Sequence, residues 1–187
     1  MKIAIIGWGS LIWNPQNLAY NIDLNWMPDG PLLPIEYSRI SADGRLTLVI
    51  ADNVKHVKTY YAYSTIKSLD LAILNLAVRE GSNISTIGYY IKNENHISPN
   101  NFTYQKEIKN WIELNNNIDA VIWTNLTENW KTKTQYKSRI DYLVNLPKEV
   151  SKVAEEYIRK TPLQINTLLR KEIEEKLNWE FIEKFKY

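Results

Sequence analysis

The chain of 187 residues contains no cysteine. That excludes a disulfide framework, a thiol nucleophile and any Cys-ligated metal. Histidine is nearly as scarce. His56 and His96 stand in polar surroundings, are read as surface residues and are too few for a His-rich zinc site. No apolar run approaches the roughly 18 residues that a membrane span needs. No basic cluster exists: 23 Lys and Arg against 21 Asp and Glu leave a net charge of +2. That balance argues against nucleic acid and against an anionic membrane as partner. The amino terminus enters an apolar strand without the charged segment and long apolar core of a secretory leader, so the cytoplasm is the expected location. Internal repeats, a long linker and any low-complexity block beyond Asn115-Asn116-Asn117 are also lacking. No Gly-x-Ser-x-Gly elbow occurs, which sets aside a Ser/His/Asp hydrolase.

What is present is enough for one globular unit. Hydrophobic residues make up 44% and charged residues 24%, ample for a core. The aromatic side chains, seven Trp and twelve Tyr among them, are mostly core and interface material and alone do not indicate a ligand.

The most informative stretch is Ile5-Ile6-Gly7-Trp8-Gly9-Ser10-Leu11-Ile12-Trp13. A short apolar strand runs into a turn with two glycines, whose backbone can take positive φ and let another group come close. Main-chain amides in such a turn suit a small anion or carboxylate. A dinucleotide-binding fingerprint would need a third glycine where Ile12 stands, and a long amphipathic helix after it. Instead Pro15 follows, and Tyr20, Ile22, Leu24 and Trp26 alternate with polar residues, which predicts an extended segment over Ala19 to Trp26.

Further along, Leu32 to Ser41 and Arg45 to Ala51 read as two strands joined by the hairpin signal Asp43-Gly44. Val57 to Ser64 reads as a further strand, and Ser68 to Glu80 as a helix stopped by Gly81. Ile87 to Ile91 is extended. The second half is mainly helical: Tyr104 to Asn115, then one buried strand from Asp119 to Thr124, then helices over Gln135 to Leu146, Pro147 to Arg159 and Pro162 to Phe185. Pro147 and Pro162 suit first-turn positions. The expected organisation is an α+β core over residues 1–98, with a mostly helical extension over residues 99–187 packed on it within one structural domain.

Gly7 to Pro15 resembles the Gly-Tyr-Gly-Ser-Leu-Ile-Trp opening of the gamma-glutamylcyclotransferase superfamily, nearest its ChaC-like branch. Asp43-Gly44-Arg45-Leu46-Thr47-Leu48-Val49 resembles the Gly-Arg-Val-x-x-Leu-Val strand of that branch. Leu76-Ala77-Val78-Arg79-Glu80-Gly81 resembles its Arg-Glu segment. The three stretches agree in order and spacing and cover roughly residues 1 to 95.

The resemblance implies a small mixed β-barrel or sheet with a packed helix. It also implies an activity: the α-amino group of a γ-glutamyl amine or peptide attacks its own γ-carbonyl, releasing 5-oxoproline and the free amine. Glu80 is then the catalytic residue, taking a proton from the nucleophile and giving one to the leaving amine. Gly7, Trp8, Gly9, Ser10, Leu11 and Ile12 form the substrate-binding loop for the glutamyl head. No metal or cofactor is implied. Ser41 is a further candidate, from an imperfect match of Glu36-Tyr37-Ser38-Arg39-Ile40-Ser41 to a longer loop of the branch. Glu36, Arg39 and Ser41 either line a differently shaped pocket or sit on a solvent face of the strand. The shortened loop argues against glutathione as substrate. Trp8 replaces the usual Tyr and has no hydroxyl.

Taken without the resemblance, Glu80 is a solvated charge at a helix end, where the helix dipole disfavours an anion. Arg79 would offset that. Tyr89 or Tyr90 could bond the head group, although core packing is the plainer use. Two other functions stay open: a non-catalytic protein that binds a small metabolite on the same fold, and a protein–protein module docking through apolar residues of the last helices, from Tyr157 and Leu163 to Phe185.

Overall fold

Ile3 to Ile6 are buried without a break, and so are Ala120 to Thr124. A strand with no polar alternation needs cover on both faces, and both of these strands have it. Ala4, Ile6, Val121 and Trp123 face one core, whereas Ile3, Ile5, Ala120 and Ile122 face the other.

The computed structural model describes residues 1–182. Its strands are β1 (Ile3–Gly7), β2 (Leu32–Ile40), β3 (Leu46–Ile50), β4 (His56–Lys58), β5 (Tyr60–Tyr63), β6 (Ile87–Ile91), β7 (His96–Ser98) and β8 (Ala120–Thr124). The α-helices are α1 (Leu69–Arg79), α2 (Gln105–Leu114), α3 (Trp130–Lys133), α4 (Arg139–Val144), α5 (Lys148–Lys160) and α6 (Leu168–Leu177). The architecture is α+β. Five strands form one sheet in the order β5-β1-β8-β6-β7, and three form another in the order β3-β2-β4. Both sheets are open, so of the small mixed barrel or sheet that the resemblance implies, the chain forms open sheets and no closed barrel.

Thr59 is the joint between the sheets. The expected single strand over Val57 to Ser64 is two strands, β4 pairing with β2 and β5 pairing with β1. Between them Thr59 is buried and turns inward, its N–H and its hydroxyl both donating to the carbonyl of Pro31. The chain thus changes sheets within one residue.

β8 comes from the second half of the chain, yet it lies between β1 and β6, parallel to the first and antiparallel to the second. The five-stranded sheet therefore draws on residues from both sides of position 98. α1 packs on one face of this sheet through Ala72, Ile73, Leu76 and Ala77. Tyr157 of α5 and Leu169 and Ile173 of α6 join the core on the other face. Tyr157, Ile165, Leu169, Ile173, Leu177 and Trp179 thus pack back on the chain's own body, whereas Leu163 and Leu168 are exposed. Phe185 lies outside the described residues.

Three other expectations are corrected. Ala19 to Trp26 is mostly turn, with one bridge from Tyr20 to Ser64. The Asn21 carboxamide oxygen accepts from the N–H groups of Asp23 and Leu24, a local Asx arrangement that outcompetes strand pairing. The helix expected over Gln135 to Leu146 is shorter, because the Ser138 hydroxyl accepts from the N–H groups of Ile140 and Asp141 and starts α4 only there. Pro162 precedes α6 instead of opening it: Thr167 is the N-cap, and Pro147 holds the cap position of α5.

His56 and His96 are both exposed. Among the described residues no helix is long and apolar enough to cross a membrane.

Candidate functional site

β1 and β8 run parallel and end side by side, Gly7 leading into Trp8 and Thr124 closing β8. Beyond those ends is a cavity of about 620 Å³. Its walls are the loop after β1, the β2–β3 hairpin, the carboxyl end of α1 and one face of α5.

Glu80 reaches this cavity from the C-cap of α1. Its N–H closes the helix on the carbonyl of Leu76, so its carboxylate meets the negative end of the helix dipole. Arg79 compensates. One guanidinium nitrogen pairs with Glu80 Oε1 at 2.5 Å, and another donates to Ser10 Oγ at 3.1 Å and to the carbonyl of Asn14 at 2.7 Å. Arg79 is thus a clamp, tying the end of the helix to the loop after β1. The ion pair is largely withdrawn from water, with side-chain exposures of 6% for Arg79 and 15% for Glu80.

The loop supplies a polar surface. Trp8, Gly9, Ser10 and Leu11 line the cavity. The loop's internal turns use the N–H groups of Ile12 and Asn14, which donate to Gly9 and Ser10. Among the described residues, the N–H groups of Gly9, Ser10 and Leu11 have no acceptor. Neither Gly7 nor Gly9 uses the positive φ open to a glycine. Both are glycine because aromatic groups come close: a Cβ on Gly7 would stand 2.5 Å from the ring of Trp26, and one on Gly9 would stand 2.7 Å from the hydroxyl of Tyr157.

The remaining candidates divide. Gly7 ends β1 and Ile12 belongs to the core under α1, and neither lines the cavity. Trp8 is buried and donates Nε1–H to the carbonyl of Leu48 at 3.3 Å. Ser41 lines the cavity, but its hydroxyl donates to Asp43 and meets the carbonyl of Arg45, so it serves the hairpin turn. Arg39 also lines the cavity, and it donates to the carbonyl of Thr127. Glu36 is on neither a pocket wall nor a solvent face. It is buried, its two oxygens accepting from the N–H groups of Tyr37 and Leu169. Tyr90 is core, and Tyr89 contacts His96.

Three contributors are not among the site residues expected from the sequence, although Arg45 belongs to the Gly-Arg stretch of the resemblance. Thr124 lines the cavity, and its hydroxyl has no partner among the described residues. Arg45 lies 2.7 Å from Asp43 through Nε, without hydrogen-bond geometry, and its guanidinium stacks 5.4 Å from the Tyr157 ring centre. Tyr157 enters from α5, accepting the N–H of Leu48 on its hydroxyl at 3.3 Å. Burial pushes the Tyr157 hydroxyl up to about 12, and Glu80 pushes the same way. Among the described residues no group of three or more His, Asp or Glu side chains is placed to hold a metal ion.

The buried tyrosines carry a pH signature. Tyr157 keeps its proton to about 12 when folded, whereas its ordinary value is 10.0. Burial also raises Tyr37, with Arg170 opposing. The folded state therefore holds more protons than the unfolded chain between those values. Stability from this source is whole below pH 10 and is lost as pH rises toward 12. Urea unfolding at pH about 9 and about 11 is expected to show a smaller loss for Tyr157→Phe than for the wild type. Equal losses would show that Tyr157 does not carry the effect.

Neither a protein-family model, nor a curated protein, nor a solved structure matches the chain.

Proposed function

We propose that the protein is a gamma-glutamylcyclotransferase-like enzyme, converting a γ-glutamyl amine or peptide into 5-oxoproline and the free amine. The observation that carries this reading is that one cavity is lined both by Glu80 and by Gly9, Ser10 and Leu11, whose amides have no acceptor among the described residues. Those amides suit the α-carboxylate of a glutamyl head. On this reading Glu80 accepts a proton from the α-amino group and returns it to the departing amine. Because the ring closes within one molecule, holding the substrate folded supplies much of the acceleration.

The test is release of 5-oxoproline, followed by mass spectrometry, from a panel of γ-glutamyl peptides and amines. Release is expected from at least one member, and the best member begins to define the amine half. A panel that yields none counts against the reaction.

A second reading is a binding protein on the same fold. The Arg79–Glu80 ion pair favours it, because a carboxylate held by a guanidinium can bind an ammonium without moving a proton. A rise in melting temperature with γ-glutamyl compounds, and no turnover, would select this reading.

A further inference from the structure

We propose that Tyr157, carried on α5, is a catalytic residue of this site, its hydroxyl donating a hydrogen bond to the γ-carbonyl oxygen of the bound amide as that oxygen becomes an oxyanion. The inference rests on the cyclisation reading and gives the helical second half of the chain a part in the chemistry.

Four observations converge on this hydroxyl. Its lone pair is occupied by the N–H of Leu48, whereas its own hydrogen has no acceptor among the described residues. A tyrosine hydroxyl has one hydrogen to give, and here it is unspent at a cavity wall. The position is also set by the loop. The oxygen lies 2.7 Å from where a Cβ of residue 9 would stand, against the residue that carries the first of the amides without an acceptor among the described residues.

The ring is also held from several sides. Trp13 meets it edge-on at 5.3 Å, Tyr37 at 6.4 Å, and the Arg45 guanidinium covers it at 5.4 Å. A donor fixed before the reaction needs no reorganisation when charge develops, which is where such groups contribute most. Finally, the side chain is buried and its hydroxyl stays protonated across the physiological range. The loop's own aromatic cannot substitute for it. Trp8 has no hydroxyl, and its N–H is already given to the carbonyl of Leu48. Leu48 of β3 thus orients both rings, accepting from one and donating to the other.

The step balances without an oxidant or co-reactant. The α-amino nitrogen bonds to the carbon of the γ-carbonyl group, and the carbonyl electron pair moves onto oxygen, which the Tyr157 O–H and the loop amides stabilise. Glu80 takes a proton from the attacking nitrogen and passes it to the leaving nitrogen. The old C–N bond then breaks and the carbonyl reforms. Tyr157 keeps its proton throughout.

The experiment compares wild type, Tyr157→Phe and a protein with 3,5-difluorotyrosine at position 157, on the best γ-glutamyl substrate. Phe keeps the ring contacts and removes one oxygen. The expected result is a kcat about 100-fold lower for Tyr157→Phe with KM within about threefold, since one oxyanion donor contributes on that scale. The fluorinated ring, a more acidic donor of the same shape, is expected to restore most of kcat and to lose it at lower pH than the wild type. A Tyr157→Phe kcat within about threefold of wild type overturns the role of Tyr157 and leaves the cyclisation standing. A wild type that releases no 5-oxoproline overturns both.

Discussion

Glu80→Gln is expected to lower 5-oxoproline release by about a thousandfold, within the range for removing a general acid–base. The two side chains have nearly the same shape, and the Gln amide oxygen can still accept from Arg79. What is lost is the capacity to take and return a proton. The fold should survive. Arg79 keeps its bonds to Ser10 and Asn14 and still has the Gln oxygen as acceptor, so the cost of removing the charge opposite a buried guanidinium is about 2 kcal/mol, below that of deleting a partner outright. Turnover would be read by mass spectrometry and stability by urea unfolding on the same preparation. A variant that turns over within tenfold of wild type removes Glu80 from the mechanism. A variant that does not fold would mean that the ion pair is chiefly structural.

Arg79→Ala is expected to have the largest effect on stability, about 3 kcal/mol. Removing one partner of a buried ion pair is costly because the other is left uncompensated. Here the stranded group would be Glu80, already at the unfavourable end of α1. Water in the cavity can hydrate it partly, which places the expected cost at the low end of the range for such pairs. The same substitution removes the anchors at Ser10 Oγ and Asn14 O, so the amides of Gly9 to Leu11 lose their fixed placement and turnover falls with stability. Arg79→Lys should recover less than half of either, because one ammonium cannot span acceptors on both the loop and the helix cap. The check is a shift of the urea midpoint at constant m-value. A loss below about 1 kcal/mol would mean that the clamp is dispensable.

The elements legible in the chain were those specified by neighbours in sequence. β1, β2, β3, β6 and β8 are apolar runs bounded by turn residues, and α1 shows its face at three- and four-residue spacing before Gly81 takes φ 59°. Where a local competitor intervened, the same signals misled. The alternation from Tyr20 to Trp26 gave way to the Asx turn at Asn21, and the helix expected from Gln135 begins only after the cap at Ser138. The join between the sheets at Thr59 could not be seen at all. Val57 to Ser64 has strand composition throughout, and only the choice of partner, β2 before Thr59 and β1 after it, divides the segment.

The site divides in the same way. By itself the sequence determined the loop after β1, the glutamate at the end of α1 and the exclusion of thiol chemistry, because each is a matter of residue type and short spacing. Tertiary structure alone decided that loop, glutamate and hairpin share one cavity, that Arg79 clamps the first two together, and that α5 closes the site with Tyr157. On the helix, Tyr157 is one more apolar position beside Ala154 and Ile158. Its hydroxyl is met by the N–H of Leu48, 109 positions away, and nothing local to either residue specifies a pairing over that distance.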